Sequence, residues 1–117
     1  MERAERFGRK LRELRLQNGL SLQKAAGAAG ISRYRLDELE KGRSRATGHT
    51  TRPSRETVKS LAQVYGVPAD MLLDLAGYAR EHPLLSPEDS LLIDLFHSLD
   101  TKQQRMILRM LKAAPGP

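Results

Sequence analysis

Arg33, Tyr34, Asp37, Glu38 and Lys41 fall in one short stretch, R-Y-R-L-D-E-L-E-K, and all lie off its apolar positions Leu36 and Leu39. Such a set makes hydrogen bonds and ion pairs. A guanidinium presents two parallel donors that match O6 and N7 of guanine, and a carboxylate accepts from cytosine N4, each good pair being worth about 1–3 kcal/mol. Acids near phosphates are repelled, so Asp37 and Glu38 each need a partner. Asp37 has two open readings: a base contact, or pairing at i±4 with Arg33 or Lys41 along a helix.

Covalent chemistry has no comparable set, and no catalytic residue, metal site or cofactor is expected. His49, His82 and His97 are scattered without the carboxylate spacing of a metal site, and His97 beside Phe96 reads as a surface residue. There is no cysteine, hence no disulfide framework or thiolate site, which points to the reducing cytoplasm. The start M-E-R-A-E-R-F-G-R-K has no apolar core of a signal peptide, and no apolar run approaches the roughly 18 residues of a membrane span.

The 117 residues carry a formal charge of +6, unevenly placed. Residues 1–67 hold fifteen Lys and Arg against seven Asp and Glu, a balance of +8, whereas residues 68–117 hold five against seven, or −2. A basic front half suggests a polyanion-facing surface on that half alone. An Arg-rich solvated surface would give the same count, so the elements carrying the charge must decide.

Those elements centre on Ser21 to Gly42, S-L-Q-K-A-A-G-A-A-G-I-S-R-Y-R-L-D-E-L-E-K-G. Ser21 caps a helix with Leu22, Ala25, Ala26 and Ala29 at helical spacing. Gly30 permits a sharp turn, Ile31 plugs it, and Ser32 caps a second helix that Gly42 ends. The alanines let two steeply crossed helices approach closely. This is a helix-turn-helix pattern, whose second helix is expected to enter the major groove of DNA. A preceding helix over residues 3–18 carries the stripe Phe7, Leu11, Leu14 and is stopped at Gly19.

The small residues, the turn G-I-S and the ending L-x-x-L-E-K-G resemble the phage repressor and Cro-like (Xre) helix-turn-helix regulators, from about Phe7 to Leu75. The resemblance implies an all-α fold in which a five-helix lambda-repressor-like DNA-binding domain occupies residues 1–76, P-S-R-E-T-V-K-S-L-A-Q-V-Y-G-V-P supplying its fourth and fifth helices. In those, Ser54 is the cap, Val58, Leu61, Ala62 and Tyr65 one face, Pro68 the N1 residue, and Met71, Leu72 and Leu75 the inward side. It implies an ion pair between Arg15 and Glu40. It also places Arg33 and Tyr34, with Asp37 and Glu38, where base-reading side chains stand. Leu22 replaces a frequent glutamine, leaving its backbone contact to Gln23. Arg35 replaces a Thr or Tyr and adds a phosphate contact, as do Ser32 and Lys41. Residues 43–52, R-S-R-A-T-G-H-T-T-R, are longer than the family's connection. They read as an inserted loop: either an arm whose Arg43, Arg45 and Arg52 meet phosphates, or a disordered surface excursion.

Residues 77–85 read as a linker with breakers Gly77 and Pro83. Ser86-Pro87-Glu88-Asp89 then starts a helix, and Asp100 caps another, so that 86–113 form a two-helix hairpin followed by a tail, 114–117. Its stripes, Leu91, Leu92, Leu95, Phe96 and Leu99, then Met106, Ile107, Met110 and Leu111, are too short to bury one another, so a second copy of the chain is expected to cover them. The alternative is folding back on the same chain's core. The expected function is a sequence-specific, homodimeric regulator of transcription, a repressor bound to double-stranded DNA at the nucleoid. The alternative is a protein-interaction module, an antitoxin or adaptor, with a protein antagonist docking on the hairpin and no membrane partner.

Overall fold

The computed structural model describes residues 2–44 and 46–113. The expected phosphate contact of Arg45 and the tail 114–117 lie outside the described residues. Among the described residues seven helices follow in order: α1 (Arg3–Gln17), α2 (Leu22–Ala29), α3 (Arg33–Lys41), α4 (Arg55–Tyr65), α5 (Ala69–Leu75), α6 (Pro87–Ser98) and α7 (Thr101–Ala113). Among the described residues extended pairing is confined to one isolated antiparallel bridge, Arg43 with Thr50.

Four of the helix starts have one local cause. Ser21, Ser32, Ser54 and Ser86 are extended, and each hydroxyl accepts from the amide three residues on, satisfying a donor that the first turn leaves open. Asp100 and Gln103 exchange such bonds reciprocally at α7, at 2.8 and 3.2 Å. Gly30 and Gly42 end α2 and α3 at φ +76° and +75°.

Packing of α1 on α3 depends on an absent side chain. A Cβ on Gly8 would overlap the carbonyl oxygens of Leu39 and Glu40, so α1 lies against the last turn of α3 at backbone distance. Gly42 is doubly required, since its φ is left-handed and a Cβ there would sit 2.9 Å from the backbone of Ala4. Around this contact Phe7, Leu11, Leu36, Leu39, Val58, Leu61 and Leu72 are buried together with Ala25, Ala26 and Ala29.

Two expectations about α5 need correction. Pro68 is the extended residue before α5 instead of its first helical residue. Within α5, Leu73 is fully buried and Met71 and Leu75 only partly, because α5 is enclosed by α1, α4 and α6 and its buried face is wider than one stripe.

The C-terminal helices do not form a closed hairpin. α6 folds back on α4 and α5, whereas α7 packs along neither α6 nor the core. Leu99 leaves α6 in an extended conformation (φ −79°, ψ 154°), and Gln104 Nε2 ties the turn by donating to the carbonyls of Phe96 (2.9 Å) and Leu99 (3.2 Å). Residues 77–82, expected as linker, form a strap. The Asp70 carboxylate, 4% exposed, accepts from the amides of Glu81 (2.6 Å) and His82 (2.9 Å). Tyr78 donates to the carbonyl of Pro53 at 2.8 Å, and Asp94 of α6 accepts from the amide of Ala69 at 3.0 Å.

Candidate nucleic-acid interface

Burial divides α3 into two sides. Leu36 and Leu39 are 0% and 1% exposed and anchor the helix, while Arg33 and Tyr34 in the first turn and Lys41 in the last are exposed. Asp37 and Glu38 are half-buried. Asp37 accepts from Lys41 Nζ at 3.0 Å, the i,i+4 pair of its second reading, and Glu38 lies 3.8 Å from Arg35. At the N-terminal end of α3 a guanidinium and a phenol therefore extend from a helix held down by two leucines. Ser32, the cap of α3, and Gln23 of α2 are exposed as well, the Ser32 hydroxyl accepting from the Arg35 amide at 3.0 Å.

On the inner side Arg15 and Glu40 make a two-pronged pair, Nε to Oε2 at 2.7 Å and Nη2 to Oε1 at 3.0 Å, with Nη1 donating to the carbonyl of Leu20 at 3.1 Å. The bond to Glu40 raises the guanidinium's affinity for its proton further, against a smaller opposing effect of burial. Beside the pair sits the Tyr65 hydroxyl, buried and without a hydrogen-bond partner. Burial pushes the phenol up to about 12, Glu40 adding to the rise and Arg15 opposing it.

Three cations expected at phosphates have partners within the chain. Arg35 donates to the Thr51 hydroxyl at 2.6 Å and the Arg52 carbonyl at 3.1 Å. Arg43 donates to the carbonyl of Gly48 at 3.2 Å and lies 3.6 Å from Glu5. Arg52 stacks on Tyr78, 4.0 Å from the ring centroid, and donates to the carbonyl of Gly77 at 3.2 Å. Apart from Gly48, these partners are distant in sequence, and none carries a periodic signal. Residues 46–49 at the loop's tip are exposed, and the loop is ordered by Ser44 N to His49 O and Gly48 N to Ser44 O, both 2.9 Å.

Of the residues expected at a second copy, Leu92, Leu95, Met106, Met110 and Leu111 are exposed, and Leu91, Phe96, Leu99 and Ile107 are half-buried. The fold also brings His82 together with Glu81 and Asp94, their donor atoms within 4.8 Å of one another, a grouping that the sequence separation hides. Glu81 there receives Lys59 Nζ at 3.0 Å and Asp94 the Ala69 amide, so the cluster serves the strap.

The profile of the helix-turn-helix domain matches residues 6–75, which hold α2, the tight turn, the exposed α3 and the core around them. The chain belongs to this helix-turn-helix family. It is 48% identical over 65 residues to the HTH-type transcriptional regulator DdrOP3 of Deinococcus deserti, covering 56% of this chain and 45% of that one. It is 28% identical over 107 residues to the cryptic phage CTXphi transcriptional repressor RstR of Vibrio cholerae, covering 92% and 86%. With the HTH-type transcriptional repressor RghR of Bacillus subtilis it shares 30% over 87 residues, covering 74% and 60%. The chain spans about half the length of the first relatives it matches, 45% and 51%. No solved structure matches it. The match to the phage repressor is longer than the helix-turn-helix domain and so extends into the C-terminal helices. No helix among the described residues is long and apolar enough to cross a membrane.

Proposed function

We propose that this protein is a sequence-specific, double-stranded-DNA-binding regulator of transcription, a homodimeric repressor that reads a palindromic operator with α3. One observation carries the reading: after the tight turn, α3 keeps Leu36 and Leu39 in the core while Arg33 and Tyr34 stand exposed in its first turn. A helix so held offers its N-terminal side chains to base edges in the major groove. Arg33 pairs with a guanine, Tyr34, Asp37 and Glu38 complete the reading face, and Gln23, Ser32 and Lys41 approach phosphates. The names of the phage and Bacillus relatives supply the word repressor, and the working place of such a regulator is the cytoplasmic nucleoid.

Dimerisation is assigned to α6 and α7, where Leu92 of the first and Met110 and Leu111 of the second are 67%, 65% and 67% exposed. A two-fold dimer would read two inverted half-sites about one helical turn apart, ~10 bp. Selection of bound sites from a random duplex pool, with wild type and Arg33→Ala, tests the reading. Wild type is expected to enrich an inverted repeat, and the variant to lose about 1–3 kcal/mol and its preference at one base pair per half-site. No enrichment by wild type would refute the function, and identical preferences would remove Arg33 from it.

The exposed apolar side of α7 favours a second reading, a module docking on another protein as an antitoxin, an adaptor or the target of an antagonist. Such a module should show no salt-dependent shift on random duplex DNA.

A further inference from the structure

The excursion after α3 is closed on itself. The chain leaves Gly42, bridges Arg43 to Thr50, and returns so that the Thr51 amide donates to the Gly42 carbonyl at 3.4 Å. Its returning leg is held to α3 by Arg35, which reaches the Thr51 hydroxyl at 2.6 Å and the Arg52 carbonyl at 3.1 Å. Arg35 and Thr51 are both half-buried, whereas residues 46–49 beyond them are exposed. A charged donor making two such bonds fixes the leg in one place more firmly than the neutral turn bonds of the tip do.

We infer that Arg35 is a positioning residue: it pins the returning leg at Thr51 and Arg52 beside the recognition helix, and with it the exposed tip, residues 46–49, which contacts the DNA backbone flanking the half-site. The inference rests on the DNA-binding reading above. The tip's Thr47 hydroxyl and His49 ring are hydrogen-bonding groups suited to phosphate oxygens. Arg35 itself faces the loop and acts through it. An arm already ordered before binding loses less conformational freedom on contact than a mobile one, and this is where the clamp contributes affinity.

The test uses the full chain on the duplex selected by wild type, at fixed salt. Affinity and amide hydrogen exchange are measured for Arg35→Ala, Thr51→Val and the double variant. Arg35→Ala is expected to bind about tenfold more weakly, at the lower end of what a lost charged hydrogen bond supports. Thr51→Val should weaken binding less, in the same direction, and the double variant should bind no more weakly than Arg35→Ala alone. Exchange should accelerate at 44–51 and stay unchanged at the buried α3 and α4 positions Leu36 and Leu61, which separates release of the arm from unfolding. A loss with Arg35→Ala, none with Thr51→Val and unchanged exchange at 44–51 would make Arg35 a direct phosphate ligand and overturn the inference. Faster exchange with unchanged affinity would overturn it as well, by removing the arm from the interface. Should Arg35→Ala fail to fold, Thr51→Val decides on the same readouts. Wild type failing to bind any duplex would refute the DNA-binding reading itself, an outcome distinct from these.

Discussion

Replacing Arg15 by Met removes the guanidinium while keeping most of the aliphatic stem that lies against the core. Glu40, its side chain 6% exposed, then keeps a carboxylate without the two bonds of 2.7 and 3.0 Å that satisfy it. The Leu20 carbonyl loses its 3.1 Å donor as well. Solvent-exposed pairs are worth about 0–1 kcal/mol, but stranding one partner of a buried pair costs about 3–5 kcal/mol. With Arg15 at 12% exposure the pair lies near the buried limit, so Arg15→Met should cost about 3 kcal/mol. In a chain of this size each kcal/mol shifts the melting temperature by roughly 4–8 °C, which makes the loss easy to see. The informative variant is the double one. Replacing a buried pair by apolar side chains of similar volume is often neutral, so Arg15→Met with Glu40→Leu should return to within about 1 kcal/mol of wild type. Urea denaturation followed by circular dichroism, run as a double-mutant cycle, measures both. A double variant that loses the sum of the two single losses would refute the argument, because the cost would then come from packing and not from an unpaired charge.

Gly8→Ala should destabilise by about 1–3 kcal/mol, since its Cβ meets the carbonyls of Leu39 and Glu40, whereas Gly27→Ala, with open space around it, should stabilise by up to about 1 kcal/mol. Equal effects in a thermal melt would show that close approach does not set the α1–α3 distance. Tyr65→Phe removes a buried hydroxyl that has no partner and should be neutral or stabilising by about 1 kcal/mol. In wild type the folded phenol titrates near 12 against an ordinary 10, so between pH 10 and 12 the unfolded chain has lost a proton that the folded chain retains. Stability from this group is thus complete below pH 10 and falls as pH rises to 12, and Tyr65→Phe should lack that fall in alkaline urea titrations. Truncation after Leu99 removes α7 and leaves α6 docked on α4 and α5, and sedimentation should find a monomer. A dimer of undiminished stability would place the interface elsewhere.

The exposed tyrosine and arginine of α3, the serine caps and the glycine turn were all legible in the sequence, because each depends on interactions within about four residues. A hydroxyl bonding the amide three positions on, or an apolar pair one turn apart, is written into local spacing. The bulk of the core was legible for the same reason, since Phe7, Leu11, Leu36 and Leu61 recur at helical intervals before any fold is known. The Arg15–Glu40 pair, 25 residues apart, was signalled by family resemblance and not by spacing.

Tertiary structure decided what long side chains and the C-terminal third do. Arg35, Arg43 and Arg52 read alike as cations of a basic surface, and only the return of the loop to α3, the packing of α1 against the end of α3 and the strap supplied Thr51, Glu5 and Tyr78 as partners. A flexible guanidinium can serve many acceptors, so its sequence neighbours do not choose among them. The same holds for Asp70, an unremarkable acid in the sequence whose carboxylate accepts the amides of Glu81 and His82 and turns an expected linker into a strap. Local spacing thus determined where the helices begin, end and turn their apolar sides. Distant backbone groups that become neighbours only after folding determined which polar side chains stay at the surface, and how α6 joins the helix-turn-helix core.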